Sequence, residues 1–277
     1  PLDNDIYGEM VPLLQRIDDQ QAQLKKQNKE LAEAESMRRD FSSNVSHEMK
    51  TPLQVISGYA ELMKNDMVLP EDRQKFAGLI YDEAQAMRGL INDVLTLSKL
   101  DESAFAREER PIDVASAARR MAGRLESFAA DEGVSISVKG GSAHINGSET
   151  LAEEMLYNLI ENAVRYNHAG GSVSVRVSQG VASNDILESL RAAGAEPNVA
   201  SVVTVRVSDT GAGIPEEMRD KVFERFFRLD KSRSKETGGT GLGLAIVKHA
   251  VQYHHGTICV EGAQGEGTTF VLRLPAA

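Results

Sequence analysis

Residues 46–52, Ser-His-Glu-Met-Lys-Thr-Pro, put an imidazole, a carboxylate and a hydroxyl close together in one short segment. Phe41, Val45, Met49, Ile56 and Met63 fall along one helical stripe, and His47 lies two residues from both Val45 and Met49. Two residues are about 200° around a helix, so the imidazole points away from the apolar stripe. Thr51 follows one turn on along the same outer face, with Asn44, Lys50 and Gln54 nearby, and Glu48 sits about 100° around. Pro52 lacks the amide that would bond back to Glu48, so a bend is expected one turn after the histidine. A zinc site of the HExxH type fails, because Thr51 stands where the second histidine belongs. A solvated surface histidine remains open. So does a nucleophile: an imidazole with an ordinary pKa of about 6.5 is largely neutral at pH 7. A carboxylate accepting from one ring nitrogen leaves the lone pair of the other free to attack. His47 by itself does not choose between these.

Further along, Asn158 and Asn162 are four residues apart on one helix face, opposite Leu156 and Ala163, with Arg165 about a turn beyond. Their amides are expected to look out of the core. Alone they read as structural amides; next to glycine loops and a basic residue they read as ligands for a metal–phosphate group. The run Asp209-Thr-Gly-Ala-Gly-Ile-Pro places a carboxylate at a strand end before Gly211 and Gly213. Backbone without side chains can approach a flat ligand there while the carboxylate accepts a hydrogen bond, although Asp-x-Gly also opens ordinary turns. Gly238-Gly239-Thr240-Gly241-Leu242-Gly243-Leu244 leads directly into a helix, offering amides and the positive end of a helix dipole to phosphate. No Gly-Lys-Ser/Thr follows, so it is not a Walker A loop. A polar stretch rather than a strand precedes it, so it is not a Rossmann turn. Arg225, Arg228, Lys231, Arg233 and Lys235 form a basic run ahead of it, either a lid over ATP or a solvated loop.

The elements that must carry these groups divide the chain near Pro111, which disfavours helix at the residue before it. Residues 1–100 are almost free of glycine after Gly8 and helical in spacing throughout. A heptad row reads Ile17, Leu24, Leu31, Arg38, Val45 and its partner row Leu13, Gln20, Gln27, Ala34, Phe41, a coiled coil weakened by its glutamines. A helix over about 41–65, a turn over 65–70 and a helix over about 71–100 follow. Phe76, Ile80, Met87, Ile91 and Val94 make the apolar face of the last. Two such helices bury too little area alone, and pairing with a second copy into a four-helix bundle is the economical solution. Beyond Pro111, strands are expected near 112–114, 134–138, 143–146, 172–178, 201–208, 257–260 and 268–274. Helices are expected at 116–130, from a Thr150/Glu153 capping box to about 166, from Glu216 and at 242–254. The connection over 179–200 is too long for a hairpin turn, with a short helix expected at 185–191. The result is a mixed sheet with helices on one side.

Over 277 residues, 41% hydrophobic and 26% charged side chains are the mix of a globular protein of about two domains. Lys plus Arg total 31 against 41 Asp plus Glu, a net charge of −10, which disfavours a nucleic-acid partner. A single cysteine, Cys259, excludes an internal disulfide and fits a reducing compartment. No apolar stretch is long enough to cross a bilayer. No signal-peptide pattern opens the chain. It starts on Pro1 and is expected to be a piece of something longer.

SHEMKTPL, NLIENAVRYN, DTGAGIP, FERFFR and GGTGLGLAIVK occur in this order. The set resembles the H, N, G1, F and G2 boxes of sensor histidine kinases of two-component systems, nearest the phosphate-sensor and envelope-sensor type. The resemblance covers about residues 36–277. It implies an α+β chain: a signalling coiled-coil linker at 1–40, and a helical hairpin at 41–105 forming a dimeric four-helix bundle that carries the phosphoacceptor. An α/β sandwich follows at 110–277, of the fold shared by gyrase, Hsp90, histidine kinases and MutL. By position, His47 would be the phosphoacceptor and Glu48 the base taking its ring proton. Thr51 would orient water for dephosphorylating a regulator. Asn162 would hold Mg²⁺ with Asn158 as second contact, while Arg165 and Tyr166 would lie near phosphates and adenine. Asp209 would recognise the adenine amino group, approached past Gly211 and Gly213. Phe223, Phe226 and Phe227 would anchor the lid, which includes Arg228. Gly239, Thr240, Gly241, Leu242 and Gly243 would wrap the phosphates.

The implied reaction is in-line transfer of the γ-phosphoryl of MgATP to neutral His47, then to an Asp of a response-regulator receiver domain. The implied setting is a homodimer, the cytoplasmic portion of a membrane sensor protein whose sensor lies outside this chain. The segment 179–200 is longer than the family's usual connection. An ATP-driven clamp of the Hsp90 or MutL branch is the main alternative. Those hydrolases carry Glu where this chain has Asn158, and a neutral amide cannot activate water. A dimeric scaffold without catalysis is the third reading, and no required residue is missing from the sequence to favour it.

Overall fold

A computed structural model of the chain describes residues 5–101, 110–196, 201–229 and 239–277. It divides into two compact units, residues 1–54 and 55–277. Helix α1, Asp5–Lys64, is one continuous helix of 60 residues. The linker and first bundle helix expected as successive pieces are therefore a single element, and the helix runs on through Pro52. Side chains of the heptad row at Ile17, Leu24 and Leu31 are exposed in the single chain. Leu13 and Ala34 of these rows lie outside the described side chains.

At the end of α1 the chain reverses. Asp66 adopts a left-handed φ of 52° and is bonded by Arg73 at 2.7 Å. A 3₁₀ turn, Pro70–Asp72, leads into α2, Arg73–Asp101, with Pro at its first position where a missing amide does no harm. Tyr59 of α1 meets Phe76 of α2 edge-on, centroids 5.1 Å apart. Leu90 and Leu97 are the buried leucines of α2.

The rest of the second unit is a two-layer sandwich. Strands β1 (Arg110–Asp113) and β3 (His144–Gly147) pair antiparallel. The main sheet holds β2 (Ser135–Lys139), β4 (Ser172–Val181), β5 (Ser201–Asp209), β6 (Thr257–Gly262) and β7 (Thr268–Pro275), in the order β2-β4-β5-β7-β6. Only β2–β4 is parallel, as a strand returning after a helical crossover must be. Alternating valines put Val173, Val175 and Val177 of β4 and Val203, Val205 and Val207 of β5 into the core. Against them pack α3 (Val114–Arg124), α5 (Glu149–Arg165) and α7 (Gly243–Tyr253), with the short α4 (Glu126–Asp131) beside β2. The central helix α5 buries Leu151, Met155, Leu156, Leu159, Ile160, Ala163 and Val164, the broad stripe of a helix covered on more than one side. The long 179–200 connection becomes an extension of β4 and helix α6 (Asn184–Ala192), whose Leu190 makes a small cluster with Ala182 and Val202.

Several local expectations changed. The Thr150/Glu153 capping box does not form: Ser148 precedes α5 without a side-chain cap, and Glu153 is bonded at 2.8 Å by Arg120 of α3. The helix expected from Glu216 is two 3₁₀ turns, Glu216–Met218 and Lys221–Phe223. The single helix at 116–130 begins at Val114 and breaks into α3 and α4. Its start is set by Asp113, whose carboxylate accepts from Ala115 N at 3.1 Å, Ser116 Oγ at 2.6 Å and Ala143 N at 3.2 Å. Desolvation pushes this carboxyl up, but the hydrogen bonds outweigh it and bring it from 3.8 to about 2.

Replacing this cap tests its role. Asp113→Ala is expected to lower unfolding free energy in urea by about 1 kcal/mol. The stabilisation is present above the ordinary pKa and lost as pH falls through the depressed one. The variant's deficit is therefore expected to shrink between pH 4 and pH 2, a window set by the shift from 3.8 to about 2. A deficit that stays constant across it would remove the cap from the account.

Candidate functional site

On α1, His47 and Thr51 are exposed, while Phe41, Val45 and Met49 are half-buried, so the outward orientation read from the spacing holds. The Thr51 hydroxyl donates to the main-chain carbonyl of His47 at 3.3 Å, which fixes hydroxyl and imidazole one turn apart on the same surface. Glu48 is half-buried beside them.

The second unit holds the other groups. Asp209 ends β5, and its Oδ1 accepts from Gly211 N at 2.8 Å and Thr268 N at 3.2 Å. Burial pushes its carboxyl above 3.8, and the two amide bonds pull it back. A Cβ at Gly211 would stand 2.4 Å from the Tyr166 carbonyl oxygen, so only glycine lets the loop lie against the end of α5. Gly213 has a φ of +72°, and a Cβ there would meet the Ala263 carbonyl at 2.2 Å. Tyr166 caps α5 and is 53% exposed. Its hydroxyl lies near Gly239, where a Cβ would be 3.4 Å from it, so this one residue borders both glycine loops, by its carbonyl at Gly211 and its ring oxygen at Gly239.

Asn158 departs from its expected place. It does not look out of the core but is 7% exposed, with its Nδ2 donating to the Glu154 carbonyl at 2.9 Å. Its Oδ1 faces the first residue of α7, where a Cβ on Gly243 would come within 2.5 Å. Gly243 thus makes the room in which the amide is enclosed. Asn162, one turn on, is half-buried. Arg165 pairs with Glu161 at 2.6 Å and lies over the Phe128 ring at 5.4 Å, so in this arrangement its guanidinium is turned toward α4.

The glycine loop is built as a turn into α7. Gly241 has a φ of +72° and its carbonyl accepts from Phe226 N at 2.8 Å; Phe226 itself is left-handed at φ 63°. Leu242 is buried, and α7 starts at Gly243 with no side-chain cap, which leaves its first turn open to an anion. Phe223 stands edge-on to Phe270 at 6.2 Å, and Phe227 packs on the core. Arg225 approaches His249 at 3.3 Å, and Arg228 is half-buried. Lys231, Arg233, Lys235 and Gly238 lie outside the described residues. Among the described residues no group of three or more His, Cys, Asp and Glu could hold a metal ion. A divalent cation here would depend on amide oxygens supplemented by phosphate and water, the habit of Mg²⁺.

Two positions escaped the sequence reading. Asn167, just past α5, donates from Nδ2 to the carbonyls of Ala163 and Ser172, both at 3.2 Å, and accepts from the Thr210 hydroxyl at 3.1 Å. Thr210 Oγ1 in turn accepts from Ser172 N at 2.9 Å. This clasp ties the end of α5 to the Asp209 loop; the only sequence signal was an amide one residue after Tyr166. The other is Asp93 of α2, whose Oδ2 accepts from the Thr240 hydroxyl at 2.8 Å. A local reading cannot find it, because its partner is 147 residues away. Asn167→Leu is expected to cost about 1–3 kcal/mol in urea unfolding by leaving clasp partners unpaired. It should also raise hydrogen exchange at Thr210 and Gly211; unchanged exchange there would mean the clasp does not hold the loop.

Known proteins resemble the chain in the same two regions. Residues 37–103 match the model of the His Kinase A (phospho-acceptor) domain. Residues 147–277 match that of the histidine kinase-, DNA gyrase B- and HSP90-like ATPase. The sensor-like histidine kinase SenX3 of Mycolicibacterium smegmatis is 35% identical over 247 residues, 89% of this chain and 59% of that protein. The sensor protein kinase WalK of Staphylococcus aureus is 31% identical over 247 residues, 89% of this chain and 55% of WalK. The chain therefore spans little more than half the length of these relatives. Among solved structures, full-length ShkA in complex with AMPPNP is 28% identical with a TM-score of 0.58, over 85% of this chain and 45% of ShkA.

Proposed function

Because the chain belongs to the sensor histidine kinases of two-component systems, we propose that it is an ATP-dependent histidine autokinase that phosphorylates His47 and passes the phosphoryl group to an Asp of a response regulator. What supports the reading above all is the pairing of two features in one chain: an exposed imidazole flanked by Glu48 and Thr51, and a buried-edge carboxylate, Asp209, set among glycines. We divide the work between a coiled-coil linker at 1–40, a phosphoacceptor hairpin at 41–105 and a nucleotide-binding domain at 110–277.

In this reading Asp209 accepts from the adenine amino group through the carboxylate that Gly211 and Thr268 already orient, and Gly211 and Gly213 admit the base. Tyr166 closes over it. Gly239, Thr240, Gly241, Leu242 and Gly243 present amides and the uncapped first turn of α7 to the phosphates. Arg228 adds positive charge near them, and Arg165 would do so on leaving Glu161 and the Phe128 ring. Asn162, with Asn158 behind it, would offer neutral oxygen to a Mg²⁺ ion, which would supply positive charge beside the transferring group. One nitrogen of His47 attacks the γ-phosphorus in line. The N–P bond forms as the bond from phosphorus to the bridging oxygen breaks, ADP leaves, and Glu48 takes the proton of the other ring nitrogen. The phosphohistidine then gives its phosphoryl to a receiver carboxylate. Asn158 is an amide hydrogen-bonded to the Glu154 carbonyl rather than a carboxylate base, which argues for transfer over direct hydrolysis.

The apolar row Ile17, Leu24, Leu31 and the exposed Leu53, Leu62, Ile91 and Leu95 of the hairpin are faces that a second copy would cover, giving a homodimer through a helical bundle. No helix among the described residues is long and apolar enough to cross a membrane.

Incubation with γ-phosphate-labelled ATP and Mg²⁺ is expected to give a protein-bound label that is acid-labile, base-stable and absent from His47→Gln. Rapid ATP turnover with no labelled protein would favour the clamp instead. Thr51→Ala is expected to keep autophosphorylation within about twofold, since in this reading its hydroxyl orients water and does not take part in phosphoryl transfer to His47. It should slow dephosphorylation of a phosphorylated receiver by about tenfold or more. Equal dephosphorylation rates in the two proteins would strip Thr51 of that role.

A further inference from the structure

Leu90, Asp93 and Leu97 are spaced three and four residues apart and share one face of α2. The leucines are 4% and 0% exposed, so Asp93 is a carboxylate in the middle of an otherwise apolar, covered surface. Helix α2 is in contact with α7. A carboxylate adds nothing to such packing unless a donor satisfies it. The donor is the Thr240 hydroxyl, at 2.8 Å. Two carboxylates of α5, Glu154 and Glu161, act on Asp93, Glu161 being itself paired with Arg165 at 2.6 Å. Burial above all, and these two neighbours in addition, push its carboxyl from 3.8 to about 6, against the pull of the Thr240 bond.

The consequence falls on the glycine loop. A threonine hydroxyl has one proton to give. Thr240 gives it to Asp93, and its oxygen meanwhile accepts from Leu242 N at 3.2 Å. In this arrangement both the hydroxyl proton and one loop amide are already committed. A polyphosphate, which has only acceptors to offer, would meet a hydroxyl with nothing left to donate and the Asp93 carboxylate behind it.

We propose that Asp93 is a positioning residue that holds Thr240, and with it the phosphate loop, on helix α2 in a resting arrangement, and that nucleotide polyphosphate competes with α2 for this loop. The inference rests on the nucleotide-binding reading of the Asp209 and glycine-loop pocket. It goes beyond that reading in making a helix of the phosphoacceptor hairpin a competitor for the phosphate end of the ligand. The adenine end, held by Asp209, is untouched by the competition. Asp93 therefore acts on ATP and not on adenosine.

Two measurements on the full chain test this. The first is affinity, by titration calorimetry, for ATP with Mg²⁺ and for adenosine, in the native protein, Asp93→Ala and the near-isosteric Asp93→Asn. Asp93→Ala is expected to bind ATP about three- to tenfold tighter, the net worth of about one hydrogen bond that no longer has to be broken. Asp93→Asn is expected to fall between, and adenosine affinity to be the same in all three. ATP affinity that is equal or weaker in both variants, or adenosine affinity that shifts in step with ATP, would overturn the proposal. The second is hydrogen exchange in the native protein, which does not depend on a variant folding. Saturating ATP is expected to speed exchange over residues 90–97 of α2, where adenosine leaves it unchanged. No change in this segment on ATP binding would equally defeat the latch. Failure of the underlying reading gives a different result: neither ATP nor adenosine binds the native protein at all.

Discussion

The second unit is organised around one half-buried carboxylate that must stay correctly aimed at the edge of a sheet. Asp209 ends the central strand β5, flanked by β4 and β7, and a carboxylate there is expensive unless main-chain amides satisfy it. Gly211 and Thr268 supply those amides from either side, one from its own loop and one from the start of β7. The surrounding backbone has to come very close to do so. A Cβ at Gly267 would lie 2.1 Å from the Asp209 carbonyl, and one at Gly211 would collide with Tyr166. The glycines are thus a consequence of holding the acid, not a separate feature. The Asn167–Thr210 clasp completes the arrangement by tying the same loop to α5.

Much of this was legible locally, because it follows from periodicities that tertiary structure has no reason to override. The alternating valines of β4 and β5 are strands with the expected faces inward, and the stripe along α5 is buried as its spacing requires. What failed did so where a distant partner intervened. Glu153 sits where a capping box wants it, yet Arg120, 33 residues earlier, takes its carboxylate. Spacing relative to Leu156 and Ala163 alone points Asn158 outward. The face it occupies is covered by α7, and Gly243 leaves a space just large enough for the amide. A continuous helix from Glu216 is stopped at Phe223: Glu224 is extended, and Phe226 is left-handed so that its N–H can reach Gly241. No local propensity encodes a turn whose partner is the carbonyl of another loop. At the candidate site, residue types and order were readable, whereas Asn167, Thr210 and Asp93 act through partners that only the folded chain brings near.

The two ends of the proposed nucleotide site are therefore built on different physical principles. At the Asp209 end, every donor comes from strands and turns of the same sheet, so its geometry is as rigid as the core beneath it. At the glycine-loop end, the supports are Tyr166, the strained Phe226 turn and a hydroxyl shared with α2. None of these belongs to the sheet. A rigid end selects which base is held, because misplacing a rigid donor by even an ångström is costly. An end supported from outside the sheet can change occupancy with little cost to the fold, because its alternative partners are hydrogen-bond acceptors of similar chemistry, a carboxylate in one case and a phosphate in the other.

Charge sharpens that division. The chain carries a net charge of −10, and the groups acting on Asp93 are carboxylates, yet the proposed ligand is a polyanion. The net charge gives such a ligand no general attraction, so the proposed site relies on local donors: loop amides, the uncapped first turn of α7 and the basic side chains ahead of the loop. Short-range donors can each be claimed by one acceptor at a time. A carboxylate of the phosphoacceptor hairpin that claims one of them is then coupled to the nucleotide by exclusion alone, with no need for a structural change to travel through the domain. The same acidity that would make this protein a poor general binder of phosphate makes the occupancy of a single threonine proton consequential.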